Sequence, residues 1–266
     1  MRAKQDPQFC EYLLREGNET EPQISNGKIK IPPPMFLPSL SSSNSLKQLM
    51  NNAILTPKNE SVYHINQLLI ERFPGAQEQY MSIDETIKTS QQGQYKDFLH
   101  SLNPIGLPPH KLLLKLNCPI LMLRNIDASK GLCNGKRLIY HKFEIHLIVV
   151  EIAVGDYKGN IVFLPRIPLQ HSDQNMYHIQ FTRHQFPIRL CFAMAINKSQ
   201  GQTFETVGIY LPQLVFSRGQ LYVALSRATT STKLRILIEP HDSDSDGTDS
   251  TANIVFHELL SLAQCA

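Results

Sequence analysis

The chain has 266 residues, 42% of them apolar and 18% charged, which is enough for one large or two modest packed domains and excludes wholesale disorder. Its 26 Lys and Arg against 23 Asp and Glu leave a net charge of +3, a balance that permits a nucleic-acid partner without requiring one. The longest apolar runs, 118–123 and 147–150, fall far short of the ~18 residues of a membrane span, so no membrane partner is expected.

In chain order, residues 6–16 predict a helix, with Phe9, Leu13 and Glu16 at a rough 3.6 period behind Pro7. Residues 31–45 hold Pro32, Pro33, Pro34, Pro38 and a Ser/Asn cluster, the composition of a loop. Ala53 to Thr56 forms a short buried-strand candidate. Asn59 then opens a helix with Val62, Ile65, Leu68 and Leu69 on one face, ended by Pro74-Gly75. Residues 82–103 are polar and give no decisive period. From 112 onward come short runs at 112–116, 119–124, 137–141, 147–154 and 161–164, several separated by glycine turns, which predict a small β-barrel or sandwich. The last third predicts an apolar strand over 188–196, another over 206–211, a helix over 217–228 and a strand over 234–238. Near-continuous apolar strands of this kind suit the buried parallel sheet of an α/β domain. Residues 242–250 (DSDSDGTDS) form an acidic linker, and 254–262 could make one amphipathic helix.

Five scattered cysteines without a C-x-x-C pair argue against a disulfide framework or zinc knuckle and for a reducing compartment. No charged-then-apolar leader opens the sequence, so secretion is not expected. Gly131 to Arg137 (GLCNGKR) resembles a phosphate loop, but its glycine spacing is one residue short and Arg137 replaces the magnesium-holding hydroxyl. Asn134-Gly135 between two strands reads better as a hairpin turn. Ile83-Asp84-Glu85 mimics the metal-binding acids of an ATPase, yet no phosphate loop precedes it.

The polar loop after Ile196 holds Lys198, Gln200, Gly201, Gln202 and Thr203, at the strand end where α/β sheets place ligand-contacting groups. Glycine there lets backbone approach a phosphate, and lysine and glutamine reach oxyanions; a plain connection is the alternative. Ser217 and Gln220 have capping-box spacing. On the helix that follows, Arg227 lies roughly 200° from Leu225, and so points away from the core. It is either a surface arginine compensating the helix dipole or a guanidinium delivered to a γ-phosphate bound elsewhere.

Asn197 to Thr203 (NKSQGQT), followed by Gly219 to Arg227 (GQLYVALSR), resembles motifs V and VI of the Pif-type (petite integration frequency) superfamily-one DNA helicases. The nearest variety is the helicase half of Helitron-transposon proteins. Leu116 to Asn125 (LNCPILMLRN) through Gly135 is similar to the signature of that family's small Src-homology-3-like (SH3-like) barrel. Ile54 to Asn59 (ILTPKN) and Phe163 to Ile167 (FLPRI) also fit, and Met1-Arg2-Ala3 with Asp6 to Phe9 looks like the start of motif IV. Ala195 stands where the family usually has threonine, and Asn52 where arginine commonly precedes the ILTP strand.

The resemblance covers about residues 1–240 and implies the second half of a motor of two RecA-like domains, with ATP bound between the halves. The expected organisation is an α/β, RecA-like domain over 1–97 and 186–240, interrupted by the barrel over 98–185 and followed by a 241–266 tail. Arg2 and Arg227 would reach the γ-phosphate. Gln200 and Gly201 would line the nucleotide cleft, and Thr56, Lys58, Asn59 and Lys198 would lie near the DNA backbone. ATP and Mg2+ are implied cofactors, but their main ligands would sit in the P-loop half. The implied partners are that first half and single-stranded or forked DNA, with Lys136 and Arg137 as further cationic candidates. The family and the cysteine usage imply the nucleus, with the mitochondrion as alternative. A non-catalytic DNA- or protein-binding remnant is the rival reading.

Overall fold

A computed structural model describes residues 3, 6–18, 20–24, 28–36, 53–86, 92–104, 106–144, 146–170, 179–213, 215, 217, 219–239 and 250–252. The chain divides into two compact units, one of residues 1–67 and 192–266, the other of Leu68–Cys191. The second unit is wider at both ends than the 98–185 insert expected from sequence.

The first unit is built on a four-stranded, all-parallel sheet in the order Ala193–Ala195, Ala53–Thr56, Val207–Leu211, Leu234–Ile238. Ile54, Leu55, Met194, Ile209 and Ile236 are all buried in it, as near-continuous apolar strands require. Helix Pro7–Gly17 opens as predicted, with the Asp6 side chain accepting from the Phe9 amide and Pro7 in the first turn. Asp6 also accepts from the backbone and hydroxyl of Ser231 at 2.9 and 2.6 Å, contacts that hold its carboxyl below the usual range. Gly17 faces Tyr222, where an added Cβ would come within 3.1 Å of the ring. Lys28–Lys30 pairs antiparallel with Ser250–Ala252, so the last residue of the expected acidic linker is a strand residue. The 254–262 helix, and most of the 31–45 and 242–250 segments, lie outside the described residues.

The second unit is antiparallel throughout. Its five-stranded sheet runs Ile188–Leu190, Pro119–Met122, Arg137–Glu144, Leu147–Ile152, Ile161–Pro165. Asn134-Gly135 forms a turn closed by the Lys136 amide donating to the Cys133 carbonyl, but it lies inside the 123–136 connection and is not the expected hairpin turn; Gly135 at φ 81° donates to the Met122 carbonyl. The GLCNGKR segment is therefore a connection between strands. A three-stranded sheet of Ile167–Gln170, Phe181–Gln185 and Ile83–Thr86, a Gln77–Met81/Lys111–Lys115 ribbon and helix Gln92–Ser101 complete the unit. Leu99, Leu107, Leu169 and Phe181 pack together beneath the helix.

The expected strand 188–196 is two strands. Ile188–Leu190 belongs to the antiparallel unit and Ala193–Ala195 to the parallel sheet. A buried apolar run gives no hint of which sheet takes each residue.

Arg183 is fully buried opposite Asp84, its Nε donating to Oδ1 at 2.9 Å and Nη2 to Oδ2 at 2.7 Å. Its other N–H groups donate to the carbonyls of Leu99, Leu102 and Pro108 at 2.8–3.1 Å. The Ser82 hydroxyl donates to Asp84 Oδ1 and lies 2.7 Å from His110 Nδ1. His110 in turn stacks on His100 at 3.7 Å. Burial first, and His100 second, hold the His110 ring below its ordinary 6.5. Arg183→Met leaves Asp84 buried without its counter-charge and should cost about 3–5 kcal/mol in chemical denaturation. Because the folded His110 value is depressed, its contribution is complete above about pH 6.5 and is lost as pH falls through the folded value. His110→Gln should remove that acid limb from a stability–pH profile.

Candidate functional site

In a parallel sheet every strand ends at the same edge. Thr56 pairs with Ala195, so the segments following them, 57–59 and 196–203, emerge side by side. Thr56 is fully buried, and its hydroxyl has no hydrogen-bond partner among the described residues. Lys58 and Asn59 are exposed where helix Asn59–Arg72 begins. Asn66, buried on that helix, grips the neighbouring strand with both ends of its amide: Oδ1 accepts from the Ala193 amide at 2.9 Å and Nδ2 donates to its carbonyl at 3.1 Å. Asn66 belongs to no motif in the sequence. Its signal was a lone amide at i+4 from Val62, where an apolar residue belongs.

A short 3-10 turn, Ile196–Ser199, carries Asn197 and Lys198 to the surface and buries Ser199, whose hydroxyl donates to the Ile196 carbonyl at 2.6 Å. Gln200 and Gly201 are exposed. Gly201 adopts φ 85°, with nothing within 4 Å of where a Cβ would be. Thr56, Lys58, Asn59, Lys198, Gln200 and Gly201 thus share one sheet edge. Arg2 lies outside the described residues.

Arg227 departs from expectation. Helix Gln220–Leu225 starts behind Gly219 at φ 61°, with no side-chain cap; Ser217 contributes its backbone carbonyl, which accepts from the Gln220 amide. The capping box is not formed. The helix also ends before Arg227, so projecting that residue around a helical wheel fails. The residue is only 8% exposed, and its guanidinium turns inward. Nε donates to the Val223 carbonyl at 2.8 Å, Nη2 to the Ser226 hydroxyl at 2.8 Å, and Nη1 to the carbonyls of Gln202 and Ser199 at 3.0 and 3.4 Å. Neither a solvated surface arginine nor one presented outward describes this geometry. Arg137, by contrast, is half-buried, with the buried Cys191 thiol as a neighbour.

Two other clusters fail as metal centres on geometry. Asp84 cannot serve as the magnesium acid of an ATPase, since both its oxygens accept from Arg183. Asp84, His100 and His110 bring donor atoms within 4.8 Å of one another. However, the two imidazoles are stacked 11° from parallel, and lone pairs in parallel planes cannot converge on one ion at roughly 2.0–2.1 Å.

Residues 97–143 match the family model described as DNA helicase Pif1, 2B domain. The chain is 38% identical over 133 residues to the ATP-dependent DNA helicase PIF1 of Homo sapiens, covering 47% of this chain and 19% of that protein. It is 31% identical over 162 residues to the Pif1 helicase of Bdellovibrio bacteriovorus, covering 58% and 34%. Among solved structures, Bacteroides Pif1 bound to single-stranded DNA aligns with all of this chain and 55% of that one, at 20% identity and TM-score 0.67. Pif1 helicase from Candida albicans aligns over 100% and 59% at TM-score 0.65 and 19% identity. The fold is that of the Pif1 helicases, RecA-like α/β in class. The chain is thus similar to Pif1 helicases, and it spans only a fifth to a third of the curated relatives named here.

Thr56→Val removes a buried hydroxyl that has no hydrogen-bond partner among the described residues and should leave stability unchanged or slightly raised. If that hydroxyl serves a bound strand, the same variant weakens single-stranded DNA binding several-fold in fluorescence anisotropy; unchanged binding would assign it no such role.

Proposed function

We propose that these residues form the second motor half of a Pif1-type ATP-dependent DNA helicase, with residues 98–185 as its SH3-like insert. The reading extends to the Helitron-like variety on the strength of the motifs at 197–203 and 219–227. The observation that carries it is the shared sheet edge, where the motif V loop stands beside the Thr56–Asn59 segment. Thr56, Lys58, Asn59 and Lys198 are assigned to the DNA backbone, Gln200 and Gly201 to the nucleotide cleft, and Arg2 and Arg227 to the γ-phosphate. Partners are single-stranded or forked DNA and a P-loop-bearing first half. Residence is nuclear, with the mitochondrion as alternative.

These residues fit ATP and Mg2+ only in part. The space beside Gly201, where a side chain would stand, suits a phosphate or base edge, but no G-x-x-x-x-G-K-[ST] occurs in the 266 residues and the Asp84 acid is committed to Arg183. When bound, the nucleotide supplies the phosphoryl group whose hydrolysis drives movement. Here the chain's own contribution is to line the cleft and to orient charge toward it. The inward set of Arg227 is what the rival reading, a non-catalytic binding remnant, has in its favour.

The 266-residue chain should hydrolyse no ATP, with or without DNA. Fused to an intact first domain from a related motor, it should restore DNA-stimulated hydrolysis, and Arg227→Ala should then lower turnover by about a thousandfold. Given its buried hydrogen bonds, that variant should also lose about 1–3 kcal/mol of stability. A folded fusion without turnover would favour the remnant.

A further inference from the structure

Arg227 has a task within the chain itself. Four of the guanidinium's five N–H groups are accounted for by Val223, Ser226, Gln202 and Ser199. Two of these bonds cross from the end of helix Gln220–Leu225 to the loop after Ile196, and they land on the carbonyls that flank Gln200 and Gly201. The Arg227 carbonyl returns a bond, accepting from the Phe204 amide at 3.3 Å. Within the loop, the Gln202 amide donates to the Ser199 carbonyl at 3.0 Å and its side chain to the Lys198 carbonyl at 3.3 Å. The Ser199 carbonyl is therefore shared between loop and guanidinium. Both flanks of the exposed Gln200-Gly201 pair are thus bonded, with Gly201 between them at φ 85°.

We propose that Arg227 is a positioning residue that clamps the Ser199–Gln202 turn and thereby sets where Lys198, Gln200 and Gly201 stand. An N–H that donates to a loop carbonyl is not free for a phosphoryl oxygen. The clamp and any contact of Arg227 with nucleotide are thus alternatives that draw on the same donors, so recruiting the guanidinium releases the loop. The clamp itself needs no nucleotide. Only its consequence for DNA rests on the reading given under Proposed function.

Hydrogen exchange on the full 266-residue chain tests it, using Arg227→Lys, which keeps the charge and stem but cannot span carbonyls on two segments. Exchange over 197–204 should rise at least tenfold, while strands Val207–Leu211 and Leu234–Ile238 stay within twofold of the parent. Unchanged loop exchange, or an equal rise in the strands, overturns the clamp. In anisotropy with oligo-dT, Arg227→Lys and Lys198→Ala should each weaken binding, and the double variant should bind no worse than Lys198→Ala alone. Strictly additive losses would refute action through the loop. Should Lys198→Ala leave DNA binding unaltered, the DNA assignment fails, while the exchange result still decides the clamp.

Discussion

The candidate site depends on the parallel pairing of Ala53–Thr56 with the strands on either side of it. Strands that run the same way finish at the same edge, and the connections that follow must start there. Thr56 beside Ala195 therefore fixes the neighbourhood of the 57–59 and 196–203 segments before any side chain chooses a rotamer. The apolar content of the strands makes this arrangement stable, since their backbone groups pair with each other and their side chains leave water on both faces. Asn66 adds register: its amide satisfies both polar groups of Ala193, the first residue of the strand that feeds the loop.

Two buried arginines show how one side chain can be put to opposite uses. Arg183 meets a carboxylate in fork geometry and closes its remaining donors on three carbonyls, so it has one stable position and serves the core. Arg227 lies at the end of a six-residue helix and rests on backbone carbonyls and a hydroxyl, partners weaker than an ion pair. Guanidinium bonds to neutral oxygens exchange readily for bonds to an anion. Arg183 therefore belongs to the core of its sheet, whereas Arg227 joins the end of a helix to a loop.

What could be read from the chain follows the same physics. Ala53–Thr56, Val207–Leu211 and Leu234–Ile238 stand out because parallel strands bury both faces and so write themselves as apolar runs. Ile83–Thr86 and Phe181–Gln185 do not, because the inward positions of their sheet hold Asp84, Arg183 and Gln185, a polar interior that resembles a surface. The 188–196 run hid a passage between sheets for the reverse reason, being apolar from one end to the other. The polar loop was legible as the connection that follows the Ala193–Ala195 strand. The direction of Arg227 was not, since the left-handed Gly219 delays the helix and the chain turns at Ser226 before the expected final turn.

The central claim is that this one sheet edge faces a nucleic-acid strand, and photo-cross-linking tests it most directly. Single-stranded DNA carrying 4-thiothymidine would be bound to the chain at low salt, irradiated, and the adducts mapped by mass spectrometry. The account predicts adducts concentrated in peptides spanning 56–59 and 197–203, lost on Lys198→Ala. Adducts confined to unit Leu68–Cys191, with the 56–59 and 197–203 peptides unmodified, would contradict it.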